Sequence, residues 1–331
     1  MRKLASIQII TNLVPIENAD RIELATVLGW QVIVKKGIHS IGELVVYFEI
    51  DSILPNIPQF DFLDGKLRLR TKKLKGVLSQ GLVLPISEFP NLPNDIVEEV
   101  DVTELLGVIK YDSELNNPRL QGSCAGNFPD FIVKTDEVRI QSTPTLLHKF
   151  RGKKVIITTK LDGTSFTTFL RRDSSEKGYT TGICSRNKEV KDDGDNIYSQ
   201  VYRKLDLEKK LFDTGFDIVI QGEICGPGIQ KNRLNLDEHT LFIFNIIDLN
   251  GYRYIPRFEW KNITSLNSIP RVPIEYIIDD FDLTLKQLLE LAEKTNNCFK
   301  EGIVVRTYFD DEIPRLSFKV INNNYLLKVK E

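Results

Sequence analysis

Lys160-Leu161-Asp162-Gly163-Thr164-Ser165 sets a lysine, a carboxylate and a glycine where the strand-like run 154–160 gives way to a turn. A lysine so placed becomes a nucleophile once it sheds its proton, which partial desolvation and neighbouring cations favour. The aspartate two residues on can steer the water shell of a metal ion, and the glycine permits a tight turn. The same characters also describe a surface β-turn with an aspartate cap, so the word gains weight only from companions. They follow in order: Ser185-Arg186-Asn187, then Gln221-Gly222-Glu223-Ile224-Cys225-Gly226-Pro227-Gly228, then Phe244-Asn245-Ile246-Ile247-Asp248. Glu301-Gly302-Ile303-Val304-Val305-Arg306 and Ser317-Phe318-Lys319-Val320-Ile321-Asn322 complete the series. Singly, Arg186 reads as a solvated strand-end arginine, Phe244 as a core aromatic and Glu301 as a turn carboxylate. As an ordered set the words carry more weight than any one of them alone.

These residues must be positioned by strands. Before residue 110 the pattern is short strands at 4–10, 22–27, 30–35, 43–50 and 77–84, with Leu67 and Leu69 in another, separated by turn residues such as Gly29, Gly37, Gly42 and Gly65. That spacing predicts a small all-β barrel or sandwich. Residues 90–107 are rich in Pro, Asn and acids and then carry a short helical pattern; the polar stretch after Lys110 reads as a linker. Beyond Pro129, strand candidates at 154–160, 165–171, 218–220, 241–249, 302–306 and 316–320 mix with helices at 196–205 and 283–296, the latter capped by Thr284. The expected organisation is an all-β domain over 1–110, a linker over 111–129 and an α+β domain with antiparallel or mixed sheets over 130–331.

Composition narrows the function classes. The chain has 331 residues, 41% of them hydrophobic, which suffices for two cores and excludes a largely disordered chain. Lys and Arg number 44 against 46 Asp and Glu, a net charge of −2, so any nucleic-acid binding must come from a local patch. One such patch is 66–75, where Lys66, Arg68, Arg70, Lys72, Lys73 and Lys75 occur without an acid. As a strand it presents Lys66, Arg68, Arg70 and Lys72 on one face, either as a stripe for a phosphate backbone or as an ordinary solvated or edge-guarding face. Cys124, Cys184, Cys225 and Cys298 lack metal-site spacing, and the apolar runs are too short to span a membrane. A soluble cytoplasmic chain is expected.

The ordered words resemble nucleotidyl transferase motifs I, Ia, III, IIIa, IV and V of the covalent nucleotidyltransferases, the polynucleotide ligases and RNA capping enzymes. At the front, Glu17-Asn18-Ala19-Asp20-Arg21-Ile22-Glu23-Leu24-Ala25 and Gly76-Val77-Leu78-Ser79-Gln80-Gly81 are similar to words that open and close tRNA-binding-type OB domains. With that module in front, the chain resembles ATP-dependent RNA ligases of the Naegleria-type branch. Lys134-Thr135-Asp136-Glu137-Val138-Arg139-Ile140-Gln141 is also similar to a segment preceding the nucleophile in RNA ligases.

The resemblance implies roles. Lys160 attacks the α-phosphorus of ATP to form lysyl-AMP, and Lys319 contacts that phosphate while helping depress the Lys160 pKa from its ordinary ~10.4. Asp162, Glu223 and Glu301 hold Mg²⁺ or Mn²⁺ through water, Glu223 and Arg186 read the ribose, Phe244 stacks on adenine and Arg139 contacts phosphate. Lys66, Arg68, Arg70 and Lys72 grip RNA. The reaction implied is joining of an RNA 3′-OH to a 5′-phosphate through adenylylated RNA, at nicks in a duplex, by a monomer. Two departures stand out: Ser317 occupies the place of a lysine in motif V of many ligases, and Ser165 that of an arginine in many DNA ligases. The alternatives are a nucleic-acid-binding protein with an inactive transferase domain, or a DNA ligase.

Overall fold

The computed structural model describes residues 2–111, 122–294, 300–309 and 313–328. The chain divides into two compact units. Met1–Asn116, Val138–Leu146 and Leu326–Glu331 form the first; Asn117–Glu137 and Leu147–Tyr325 form the second. Residues 112–121 of the expected linker and Cys298 lie outside the described residues. So do the last two residues of the helix expected at 283–296.

The first unit is all β: β1 (Ala5–Pro15), β2 (Ile22–Val27), β3 (Trp30–Lys35), β4 (Leu44–Phe48), β5 (Ser52–Ile53), β6 (Lys72–Leu74), β7 (Val77–Ser79), β8 (Leu82–Pro85) and β9 (Ile109–Lys110). Five of them form an antiparallel sheet in the order β3-β2-β1-β4-β8. Eleven-residue β1 is shared: Ala5–Ile9 pairs with β4 and the stretch from Ile10 to Pro15 pairs with β2, with a register shift between Ile10 and Asn12. A bulge bends a strand and raises its twist, which lets one strand serve both halves of a curved sheet. Alternation along β3, buried at Trp30, Val32 and Val34, sends its apolar side into a core with Val45, Tyr47 and Ile50. The run 77–84 is split at Gly81, where a Cβ would sit 2.6 Å from the Tyr47 ring and the backbone has φ +115°.

Two expectations fail here. Residues 90–107 are turns without a helix, tied edge-on to β1 by Ile7 N–H to Val100 O (2.9 Å) and Val102 N–H to Ala5 O (3.0 Å). The basic stretch 66–72 is not one regular strand: Leu67 and Leu69 pair with the backbone at Leu54, Ser52 and Asp51, and only 72–74 enters a ladder. Leu69 is buried while Lys66, Arg70 and Lys72 are exposed. Arg68 is instead drawn inward, 3.2 Å over the Tyr111 ring and 3.7 Å from Asp51.

The second unit holds β10 (Cys124–Asn127), β11 (Val155–Lys160), β12 (Thr164–Arg172), β13 (Tyr179–Cys184), β14 (Lys188–Val190), β15 (Ile218–Cys225), β16 (Thr240–Asp248), β17 (Arg253–Tyr254), β18 (Ile274–Ile278), β19 (Gly302–Thr307) and β20 (Ser317–Ile321). They make two antiparallel sheets, β10-β14-β13-β12-β15-β16-β17 and β18-β11-β19-β20. Helices α1 (Ile197–Lys204) and α2 (Leu207–Phe212) cover the larger sheet through Tyr198, Val201, Tyr202, Leu207 and Leu211. Helix α3 (Leu285–Glu293) opens with a reciprocal capping box between Thr284 and Gln287, and short α4 (Asn323–Lys328) follows β20. No helix among the described residues is long and apolar enough to cross a membrane.

Candidate active site at the crossover between two sheets

β11 ends at Lys160 in the smaller sheet and β12 begins at Thr164 in the larger. The turn Leu161-Asp162-Gly163 is therefore the crossover between sheets, and whatever it carries is held from both sides. Its glycine is required by space: no positive φ occurs at Gly163, but a Cβ there would lie 2.7 Å from Glu223 Cγ and 2.9 Å from Cys225 Sγ. The close approach lets the Gly163 N–H donate to Glu223 Oε1 at 3.1 Å.

Antiparallel register builds the rest. Lys160 pairs with Gly302 at the start of β19, and the Glu301 N–H donates to the Lys160 carbonyl at 3.1 Å. This sets the Lys160 ammonium directly against the Glu301 carboxylate as an ion pair. Asp162, whose side chain is 6% exposed, accepts from Arg233 Nε at 2.5 Å and from the Tyr325 hydroxyl at 2.9 Å. The lysine thus stands among three carboxylates at fixed positions.

The electrostatics differ from the expectation for Lys160. Burial pushes its ammonium pKa down, but Glu301, Glu223 and Asp162 outweigh burial, and in the chain alone the pKa is raised. Lys319 is itself bonded to Asp136 Oδ1 at 3.0 Å. Burial lifts Glu223 to about 8, with Glu301 and Asp162 adding to the rise against the pull of Lys160. Asp162 is also raised, by burial and by Glu301, despite its partners Tyr325 and Arg233. Crowded negative charge of this kind is relieved by a cation. Among the described residues no three His, Cys, Asp or Glu side chains are grouped to hold a metal directly. The carboxylates suit a hydrated divalent ion, which keeps much of its water shell.

The second group of cations gathers on Asp136. Lys319 on β20 and Arg186 after β13 both face this carboxylate, Arg186 at 3.4 Å. Beside it, Glu137 takes the Ser317 hydroxyl and pairs with Arg306 at 3.1 Å and Arg315 at 4.0 Å. Position 317 therefore needs no cation of its own to meet Glu137. Burial raises the Glu137 pKa, but Arg306 and Arg315, with the Ser317 hydrogen bond, hold it below the usual carboxylate range. Phe244 is the unpaired residue of a bulge where β16 shifts register against β15. It packs half-buried with Leu161, Cys225 and Val272, and the Arg306 guanidinium lies 6.0 Å from its ring centre.

Arg139 belongs to the first unit, where it pairs with Asp51 at 2.8 Å and Glu49 at 4.0 Å. Asp136, Glu137, Arg233, Arg315 and Tyr325 were not singled out from sequence. The first two lie in the 134–141 word. Tyr325 and Arg233 offer no sequence signal, since both reach Asp162 from more than seventy residues away.

With this geometry in place, two family models match the chain: an OB-fold domain over residues 4–86 and an RNA ligase over residues 153–321. Solved structures of Naegleria gruberi RNA ligase are similar along the whole length. One, with PPi, is 33% identical over 98% of both chains at a TM-score of 0.88. A point mutant with AMP and Mn is 33% identical, again over 98% of each chain, at 0.89. Another mutant, with ATP and Mn, is 32% identical over 98% of each, at 0.88. Comparison with the curated proteins finds no match.

Proposed function

The chain belongs to the RNA ligase family, and on that footing we propose that it is an ATP-dependent RNA ligase that seals nicks in duplexes. The observation that carries this reading is Lys160 at the crossover between sheets, paired with Glu301 and flanked by Asp162 and Glu223. Relatives of the same length hold ATP or AMP with Mn, which supports the same ligands here.

Lys160 Nζ, once deprotonated, attacks the α-phosphorus of ATP; the new N–P bond replaces the bond to pyrophosphate, which leaves. The AMP group then passes from Lys160 to an RNA 5′-phosphate, and the 3′-OH of the adjoining strand displaces AMP to close the backbone. Glu301 is the group that holds the Lys160 amine in line and competes for its proton. Lys319 and Arg186, now held by Asp136, are the cations available to developing phosphate charge and to the ribose. Phe244 offers its face to the adenine, backed by the apolar cluster behind it. A divalent ion held through water by Asp162, Glu223 and Glu301 would neutralise those carboxylates and so free the Lys160 amine. Arg139, bound to Asp51 and Glu49, is proposed as a phosphate contact that must exchange those partners. The OB unit contributes Lys66, Arg70 and Lys72 to RNA binding, and Arg68 supports them from its place over Tyr111. The chain is proposed to act as a monomer.

Sealing assays on a nicked duplex test the substrate. All-RNA strands are expected to be joined, and replacing the 3′-OH strand at the break with DNA is expected to abolish joining. An unchanged rate with DNA there would reject the RNA assignment.

A further inference from the structure

A groove of about 320 Å³ opens on the smaller sheet of the second unit. Its floor is aliphatic: Ile156 of β11 beside Ile274 and Ile277 of β18. Its wall carries Arg257, Phe258 and Lys261 from the 3₁₀ turn Arg257–Asn262, with Arg271 ahead of β18 and Tyr308 beyond β19. None of these residues has a part in the lysine site.

Two properties set this groove apart from an ordinary surface. First, its cations lack counter-charges. Arg257 donates to the Val272 carbonyl at 2.9 Å and Arg271 to Asn267 Oδ1 at 2.6 Å; among the described residues no carboxylate pairs with Arg257, Lys261 or Arg271. Acids on or next to the same elements are engaged elsewhere: Glu259 with Arg253, Glu275 with Lys300 and Asp279, just past β18, with Lys154. Burial, with Arg271 and Arg306 nearby, holds the Arg257 pKa down to about 10, so the guanidinium remains charged and uncompensated at neutral pH. Second, the rim is aromatic. Phe258 and Tyr308 lie nearly parallel, 8° apart with centroids at 5.4 Å, and Phe309 meets Tyr308 edge-on while 64% exposed.

Flat exposed rings beside unneutralised guanidinium and ammonium groups are what unpaired nucleotides bind: bases stack, phosphates meet the cations. A peptide or lipid surface would not need both. The strand that floors the groove also carries the nucleophile. Ile156 and Lys160 share one face of β11, four residues apart, about 13 Å at ~3.3 Å per residue.

We propose that this groove holds an unpaired stretch of RNA flanking the break, its base against Phe258 and Tyr308 and its phosphates among Arg257, Lys261 and Arg271. The proposal rests on the RNA ligase reading and adds to it a second grip on the substrate, within the transferase unit itself.

Fluorescence anisotropy of a labelled single-stranded oligoadenylate, with the full chain across a salt series, tests it. Phe258→Ala is expected to weaken binding about tenfold with the salt slope kept, because only stacking is lost. Lys261→Ala is expected to flatten the slope by ~0.7, the value of one phosphate contact on a single strand. Circular dichroism melts check that both variants, altered at exposed positions, remain folded. Wild-type affinity and slope in both folded variants would overturn the proposal. Intact mass of the wild type after incubation with ATP and Mg²⁺ is read alongside. A missing AMP adduct would sink the ligase reading and leave the anisotropy result to judge the groove by itself.

Discussion

At the scale of single residues, carboxylates decide what the cations do. Glu301 captures Lys160, Asp136 captures both Lys319 and Arg186, and Glu137 gathers Arg306 and Arg315 around the Ser317 hydroxyl. Glu137 offers a clean test of such pairing. Its folded pKa lies below its unfolded one, so the stability it contributes is fully present above the unfolded value and is lost as pH falls through the folded value. Glu137→Gln should lower stability by about 2 kcal/mol at pH 7, the range for hydrogen bonds to charged groups. The gap to wild type should close as the pH drops below ~4, and thermal melts at both ends of that range would read it. A constant gap at every pH would show that shape, and not charge, is what Glu137 supplies. The sequence made Lys160, Asp162, Glu223 and Glu301 legible because each belongs to an ordered word. It could not reveal the Lys160 charge state, which depends on which distant carboxylates the fold brings near.

Elements explain why those words are spaced as they are. Lys160 and Glu301 are 141 residues apart, yet they are neighbours because β11 and β19 pair in a register that sets Lys160 opposite Gly302. Strand positions were readable where alternation was strong, as at β2 and β3, whose bounds match the pattern residue for residue. The pattern misled wherever local sequence was overruled by tertiary bonding: the acidic turns of 90–107 edge onto β1, and the basic run 66–72 follows the backbone of Ser52 and Leu54. Strand β18 was missed because its mostly exposed residues hide the alternation. Gly163 shows how an element depends on one position. The turn was anticipated from its glycine, but the reason is contact with Glu223 and Cys225, and not an unusual backbone angle. Gly163→Ala should push β12 from β15, costing 1–3 kcal/mol, about what overpacking costs. Its AMP transfer should fall at least tenfold while the fold survives. Wild-type transfer in this variant would show that the Gly163–Glu223 approach does not matter to the site.

For the whole molecule, net charge says little and local charge says much. In a chain of net charge −2, Lys66, Arg70 and Lys72 stand exposed in the first unit, and they are the local cations proposed to meet RNA. Replacing these three with Ala should weaken binding to nicked duplex RNA at every sequence and reduce the slope of log affinity against log salt by about 2–3. An unchanged slope would remove the cationic stretch from the interface. The two-part organisation, an OB-fold match followed by an RNA ligase match, underlies the proposal of one module that grips RNA and another that does the chemistry. Everything in this account passes through one covalent bond, between Lys160 Nζ and AMP. The most direct test is the intact mass of the purified chain after incubation with ATP and Mg²⁺ or Mn²⁺, beside Lys160→Ala. A gain of one AMP group in the wild type, absent from the folded variant, is the predicted result. An adduct that survives in Lys160→Ala, or a folded wild type that never acquires one, would contradict it.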